Sequence, residues 1–136
     1  MPMPMPMPIT ELIVCTTCRP AAQSREDQPA GEALLEALQI AMFDADPDAP
    51  VVLRGVACMS GCGRACTVAL QAPGKHSYLF GDLTPDADTA GQVLACARLH
   101  VRSADGNLPW KERPERLRNG ILVKLPPGLP QGECSR

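Results

Sequence analysis

Aromatic side chains are scarce in this sequence: one Trp, one Tyr and two Phe among 136 residues. A core built almost without them must be aliphatic. The two histidines stand apart, His76 beside a turn and His100 near a helix end, where solvated or capping roles are usual. No Ser/His/Asp set, phosphate-binding glycine loop or GxGxxG run occurs, which removes the common signatures of a self-contained enzyme. No stretch reaches the ~18 continuous apolar residues that a membrane span requires. The Met-Pro repeat over residues 1–8 lacks the basic region and apolar run of a secretory signal. A cytoplasmic protein with reduced thiols is therefore expected. Strong charge of either sign is absent too. The net charge of −2 divides into −5 over residues 1–100 and +3 over residues 101–136. An acidic body with a short basic tail argues against nucleic acid as the main partner and suits a basic protein surface, though a small imbalance is more often only a solvated face.

What the chain has is sulfur. Seven cysteines are too few for a disulfide scaffold and, being odd in number, cannot all pair. Five fall in one pattern: Cys15 and Cys18 as C-x2-C, then, after 39 residues, Cys58, Cys62 and Cys66 as C-x3-C-x3-C. Gly61 and Gly63 sit between the later three. A buried helix would carry alanine or leucine there, whereas a loop folded closely around a metal or cluster needs glycine. Ordinary buried thiols pack like small hydrophobes and do not call for this spacing. The five are read as a ligand set. Cys96, inside a predicted helix, reads as structural, and Cys134, near the Pro/Gly-rich end, as a free thiol.

Along the chain, the Met-Pro lead over 1–8 is expected to be disordered. Ile9 to Val14, rich in β-branched residues and ending at Cys15, predicts a first strand. A polar loop follows. A helix is predicted over 31–43, with Leu34, Leu35, Leu38 and Met42 at helical spacing and Glu32 in its first turn. Residues 51–56 predict a second strand that runs toward Cys58, residues 66–71 a third and residues 76–81 a fourth, with Pro73-Gly74 as the turn between the last two. Thr84 is expected to cap a second helix, with Pro85 at its first position and Ala87, Ala90, Leu94, Ala97 and Val101 facing inward. The globular part is thus placed at 9–101, followed by a basic Pro/Gly-rich tail over 102–136 with one short helix around 114–119. In that tail Arg113, Arg116 and Arg118 near Trp110 read either as a docking patch or as a solvated segment that packs Trp110 onto the sheet.

A helix between the first two strands implies a right-handed parallel crossover, and the later hairpin is antiparallel. The expected fold is α/β: a mixed four-stranded sheet with two main helices and an irregular C-terminal tail, which is the thioredoxin-like arrangement. The carboxyl ends of the two parallel strands share one sheet edge, so Cys15, Cys18, Cys58 and Cys62 can converge there. Four thiolates suit Zn²⁺ or a [2Fe–2S] cluster. Zinc ribbons generally repeat C-x2-C, whereas the second pair here is C-x3-C followed by a third cysteine. A thioredoxin-type redox pair at Cys15 and Cys18 would need a helix N-terminus beside it, and Arg19-Pro20 with a polar loop intervenes.

The segment Val56-Ala57-Cys58-Met59-Ser60-Gly61-Cys62 resembles the motif of thioredoxin-like [2Fe–2S] ferredoxins, over roughly residues 9–100. The chain is also similar to a family of small bacterial predicted metal-binding proteins often encoded near cobalamin-biosynthesis genes. That likeness is carried by Val14-Cys15-Thr16-Thr17-Cys18-Arg19, by Cys62-Gly63-Arg64-Ala65-Cys66-Thr67-Val68-Ala69 and by Ser77-Tyr78-Leu79-Phe80-Gly81-Asp82-Leu83. It extends through Asp105-Gly106, Trp110, Arg113-Pro114-Glu115 and Leu117-Arg118-Asn119-Gly120. The resemblance implies a [2Fe–2S] electron carrier rather than an enzyme, with a redox or metal-handling protein as partner and a place in cobalt metabolism. The preferred ligands are Cys15, Cys18, Cys58 and Cys62, with Cys66 as substitute for Cys18. A non-redox zinc or cobalt module, a metal-transfer protein and a thiol-disulfide oxidoreductase stay open, as does a homodimer.

Overall fold

In the strand Thr10–Cys15 (β1) every second residue faces one side, and Thr10, Leu12 and Val14 are fully buried there. The computed structural model describes residues 9–17, 26, 28–44, 50–57, 66–118 and 120–127. The Met-Pro lead, Cys18, Cys58, Cys62 and Cys134 lie outside the described residues. After β1 come helix Ala30–Ala41 (α1), extended by a 3₁₀ turn Met42–Asp44, and strand Val51–Val56 (β2). Strands Val68–Gln71 (β3) and Ser77–Phe80 (β4), helix Ala87–Arg102 (α2), 3₁₀ turns Trp110–Glu112 and Glu115–Leu117, and strand Ile121–Leu125 (β5) complete the described chain. The sheet order is β2-β1-β3-β4-β5. β1 and β2 run parallel, in the register Thr10 to Val51 through Cys15 to Val56, and the other neighbours are antiparallel.

This is the expected α/β arrangement with one more strand. The segment read as an irregular tail supplies β5, which pairs along β4 and covers what would otherwise be its open edge. Leu108 and Leu117 from the same segment enter the core. Its prolines and glycines masked a short apolar run, Ile121-Leu122-Val123, that has the length and composition of an edge strand.

Both helices lie on one face of the sheet and pack on each other. α1 buries Leu34 and Leu38, with Leu35 partly covered. α2 begins later than Thr84 and Pro85 led one to expect. Asp86 is the cap, its Oδ1 accepting the Thr89 amide at 2.7 Å, because a carboxylate is at least as good an acceptor as threonine and also meets the positive end of the helix dipole. The later start leaves Ala87 exposed, and the inward face is Ala90, Val93, Leu94, Cys96, Ala97, His100 and Val101.

His100 is the main departure from expectation in the core: it is fully buried, neither solvated nor a cap. Its Nε2–H donates to the His76 carbonyl at 2.7 Å and its Nδ1 faces the Thr10 hydroxyl at 2.7 Å. Lys75, also buried, donates from Nζ to the His100 and Val101 carbonyls and so closes the C-terminus of α2. Gly106, at φ 78°, has no room for a side chain: a Cβ would meet Lys75 Cβ at 2.6 Å and the His76 amide nitrogen at 2.8 Å. These contacts bind the start of β1, the start of β4 and the end of α2 at the sheet edge opposite the cysteines.

Candidate metal centre at the sheet edge

Because β1 and β2 are parallel, both carboxyl ends, Cys15 and Val56, arrive at the same edge. β3 runs the other way, so its beginning lies at that edge too, and Cys66 precedes it by two residues. The Cys15 amide donates to the Thr67 carbonyl at 3.2 Å, carrying the β1–β3 ladder to the last residue of β1. Cys15 and Cys66 are both fully buried.

Two threonines tie the end of β1 to the end of β2. The Thr16 amide and hydroxyl both donate to the Val56 carbonyl, at 2.8 and 3.1 Å. The Thr17 hydroxyl donates to the Ala57 carbonyl. The Cys15 Sγ lies 3.9 Å from both the Thr17 Oγ1 and the Ala57 carbonyl oxygen, long contacts suited to a thiol. Gly55 makes the approach feasible, since a Cβ there would stand 2.7 Å from the Thr16 Cγ2 and 3.0 Å from the Leu35 Cδ2. The residues that follow these braced positions in the chain are Cys18, after Thr17, and Cys58, after Ala57.

Cys66 is fixed from its other side. Its amide donates to the Leu83 carbonyl and the Leu83 amide donates to the Cys66 carbonyl, each at 3.2 Å. Continued from Val68 opposite Phe80, the β3–β4 register would set Cys66 against Asp82. The chain inserts Asp82 at φ 60° and brings Leu83 there instead. A non-glycine residue in the left-handed region is strained, although aspartate tolerates it better than most. Burial first, and the nearby Cys15 sulfur second, push the Cys66 thiol up to about 11.

Of the predicted ligands, the structure brings Cys15 and Cys66 to one edge, and Cys18, Cys58 and Cys62 fall outside the described residues. Among the described residues no group of three or more His, Cys, Asp or Glu is arranged to hold a metal ion. Cys96 faces the core from α2, and burial raises its thiol to about 12, the environment of an inert structural cysteine. Arg113 is buried and donates to the Leu117 carbonyl, so it is not part of a surface patch. Trp110 is 54% exposed, with the Arg118 guanidinium 5.0 Å from its ring centre, rather than packed on the sheet. Sequence reasoning placed Thr16, Thr17 and Leu83 within the segments that carry the family likeness and gave them no role at the site. Each reads locally as ordinary strand or turn composition, and the only available signal was the placing of two hydroxyls directly between two cysteines.

Among solved structures, this chain is similar to a wild-type thioredoxin-like [2Fe–2S] ferredoxin from Aquifex aeolicus, with 17% identity, a TM-score of 0.50, and coverage of 85% of this chain and 97% of the ferredoxin. A second structure of a thioredoxin-like [2Fe–2S] ferredoxin from the same organism matches with 19% identity, a TM-score of 0.49 and coverage of 89% and 97%. The first likeness establishes a thioredoxin-like fold. No curated protein matches the sequence. A family described as "Protein of unknown function (DUF1636)" matches residues 12–127. No helix among the described residues is long and apolar enough to cross a membrane.

Proposed function

The chain belongs to the DUF1636 family, and from that premise we propose that it is a one-electron carrier holding a single [2Fe–2S] cluster at the carboxyl edge of its sheet. One observation carries the reading. Buried Cys15 and Cys66 lie at the edge where Thr16 and Thr17 brace the residues that lead directly into Cys18 and Cys58. The donor chemistry fits the group: the cysteines offer the soft sulfur ligands that iron–sulfur clusters take, and glycines 61 and 63 allow backbone to pass close to it.

Cys15, Cys58 and Cys62 would be ligands, with the fourth drawn from Cys18 or Cys66. A bound cluster supplies reversible one-electron chemistry. The chain's own residues do the rest: Thr16 and Thr17 tie the end of β1 to the end of β2, and the burial of Cys15 and Cys66 keeps water from their side of the edge. Backbone amides near the sulfurs tune the potential. On this reading the protein is not itself an enzyme. Its partner is a redox or metal-handling protein, and the cobalamin connection implied by family resemblance belongs to the same proposal.

Anaerobic purification followed by a visible spectrum and assays of iron and acid-labile sulfide tests it. A brown protein with equal iron and sulfide, bleached by dithionite, is the expected result. A colourless protein that stays apo after anaerobic reconstitution, yet binds zinc stoichiometrically, would overturn the electron-carrier reading.

A further inference from the structure

We propose that the sheet face turned away from the two helices is where a second copy of this chain packs, about a two-fold axis, to form a reversible dimer. The pairing is independent of whatever the cysteine edge holds.

The strands are built for two covered faces. A strand with one face in solvent alternates apolar and polar residues, whereas a strand covered on both faces reads as a continuous apolar run. Here β1 carries Leu12-Ile13-Val14 and β4 carries Tyr78-Leu79-Phe80, with runs of the same kind in the other three strands. The outer members of these two runs belong to the core under the helices. The middle members fall on the other face, and the register aligns them: Ile13 stands opposite Ala69, Ala69 opposite Leu79, and Leu79 opposite Val123. This apolar row crosses four strands. Val52 and Leu125 flank it, at 50% and 55% exposure, and Val123 within it is 40% exposed. Both helices pack on the core face, so no helix among the described residues covers the row. A contiguous apolar patch of this kind marks an interaction site.

Charge and area select a second copy as the occupant. A two-fold pair uses the same patch on both partners, so the patch has to be its own complement. The strands place two charged side chains on this face, Glu11 and Arg54, and these bond each other. Arg54 Nε lies 2.9 Å from Glu11 Oε2, and Arg54 Nη2 donates to Glu11 Oε1 at 3.2 Å. Gln71 donates to the same Oε1 at 2.6 Å. The face is neutral on a chain whose net charge is −2, so two copies meet there without like-charge repulsion, and a strongly charged partner finds no complementary field. Five strands at about 4.8 Å spacing, each about five residues of about 3.3 Å, give roughly 400 Å² in projection on each copy. Side-chain relief brings the pair to about 1,000 Å², the least that a specific interface needs, which is why the dimer is expected to be reversible.

Sedimentation velocity of the full chain tests this, from about 1 to about 100 μM and with a reductant present to prevent intermolecular disulfides. Wild type is expected to shift from monomer to dimer across that range. Leu79→Lys and Val123→Lys set a charge in the row and are expected to raise the dissociation constant about thirtyfold or more, with the circular dichroism spectrum retained. Ile40→Lys, at a 68% exposed position near the end of α1, is the control and should dimerise like wild type. Because Val123 is partly exposed on an edge strand, its variant keeps the test open should Leu79→Lys fail to fold. A wild type that stays monomeric at the highest concentration overturns the proposal and leaves the face to another segment of the chain or to a different protein. A dimer that survives in a folded lysine variant of the row, or that Ile40→Lys breaks as readily, places the contact elsewhere and overturns it as well.

Discussion

Replacing Thr10 by valine keeps the shape of the side chain and deletes one hydroxyl. In the native protein that hydroxyl lies 2.7 Å from Nδ1 of His100, and both residues are fully buried. The His76 carbonyl, 2.7 Å from Nε2, can only accept, so Nε2 carries the proton and Nδ1 accepts from Thr10. Valine leaves Nδ1 without its donor in an apolar interior, a loss of about 1–3 kcal/mol, or roughly 3–10 °C in melting temperature for a domain of this size. The same network sets a pH dependence. Burial, reinforced by the Lys75 charge and opposed by the bond to the His76 carbonyl, holds the His100 ring below its ordinary 6.5. The unfolded chain then binds a proton that the folded chain refuses, so this stability is full above 6.5 and is lost as the pH falls below it, by at most about 1.4 kcal/mol per pH unit. Of the charged groups around the ring, Lys75 and then His76 add to the lowering, and the Asp105 carboxylate, held below 3.8 chiefly by the Asn107 amide, titrates outside that window. Urea unfolding of the metal-free protein at pH 7.5 and 5.5 measures both effects in wild type, Thr10→Val and His100→Leu. Thr10→Val should be weaker at pH 7.5, and His100→Leu should lose much of the decline on acidification. A Thr10→Val midpoint within about 0.5 kcal/mol of wild type, the range of an ordinary surface change, would refute the reasoning. Metal content should be unchanged, because the network lies at the edge opposite the cysteines.

Gly106→Ala places a Cβ 2.6 Å from that of Lys75 at φ 78° and is expected to lose about 2–4 kcal/mol by chemical denaturation; a variant as stable as wild type would remove the close approach from the account of this edge. Leu117→Ala, at a fully buried position, should lose about 2–5 kcal/mol, and an unchanged unfolding midpoint would mean that the C-terminal segment contributes nothing to the core. Thr16→Val combined with Thr17→Val removes the hydroxyl bonds to Val56 and Ala57. It is expected to lower cluster retention about 10–100-fold while the metal-free protein loses no more than about 1–3 kcal/mol; chelator challenge and thermal melts separate the two, and wild-type retention would dismiss the brace.

The elements legible in the sequence were those whose periodicity is a direct image of burial. Leu34 and Leu38 on α1, and Leu12 and Val14 on β1, alternate at the period of their element because one face of each meets the same core. The fifth strand was obscured because an edge strand buries little and its flanking prolines and glycines signal loop. His100 was misplaced for a related reason. A histidine's burial depends on finding an acceptor and a donor at once, and here these come from His76 and Thr10, the latter 90 residues away in the chain. Nothing local to α2 announces either partner. The same holds for the cap at Asp86 rather than Thr84, where two good capping residues lie two positions apart and tertiary packing selects between them.

The cysteine edge was legible for a different reason, topological rather than periodic. A helix between two strands implies a parallel pair, a parallel pair brings two carboxyl ends together, and the ladder carries Cys15 to that edge whatever its side chain does. The antiparallel return of β3 then delivers Cys66 to the same place from the opposite chain direction. What topology does not settle is which sulfur is held rigidly, since that depends on bonds made by neighbours such as Thr16, Thr17 and Leu83 whose own residue types carry no sign of the role. A motif read by spacing alone therefore pairs Cys15 with Cys18, its nearest neighbour in sequence. The ladder sets it opposite Thr67, the residue after Cys66, so that Cys66 reaches the same edge 51 residues further on.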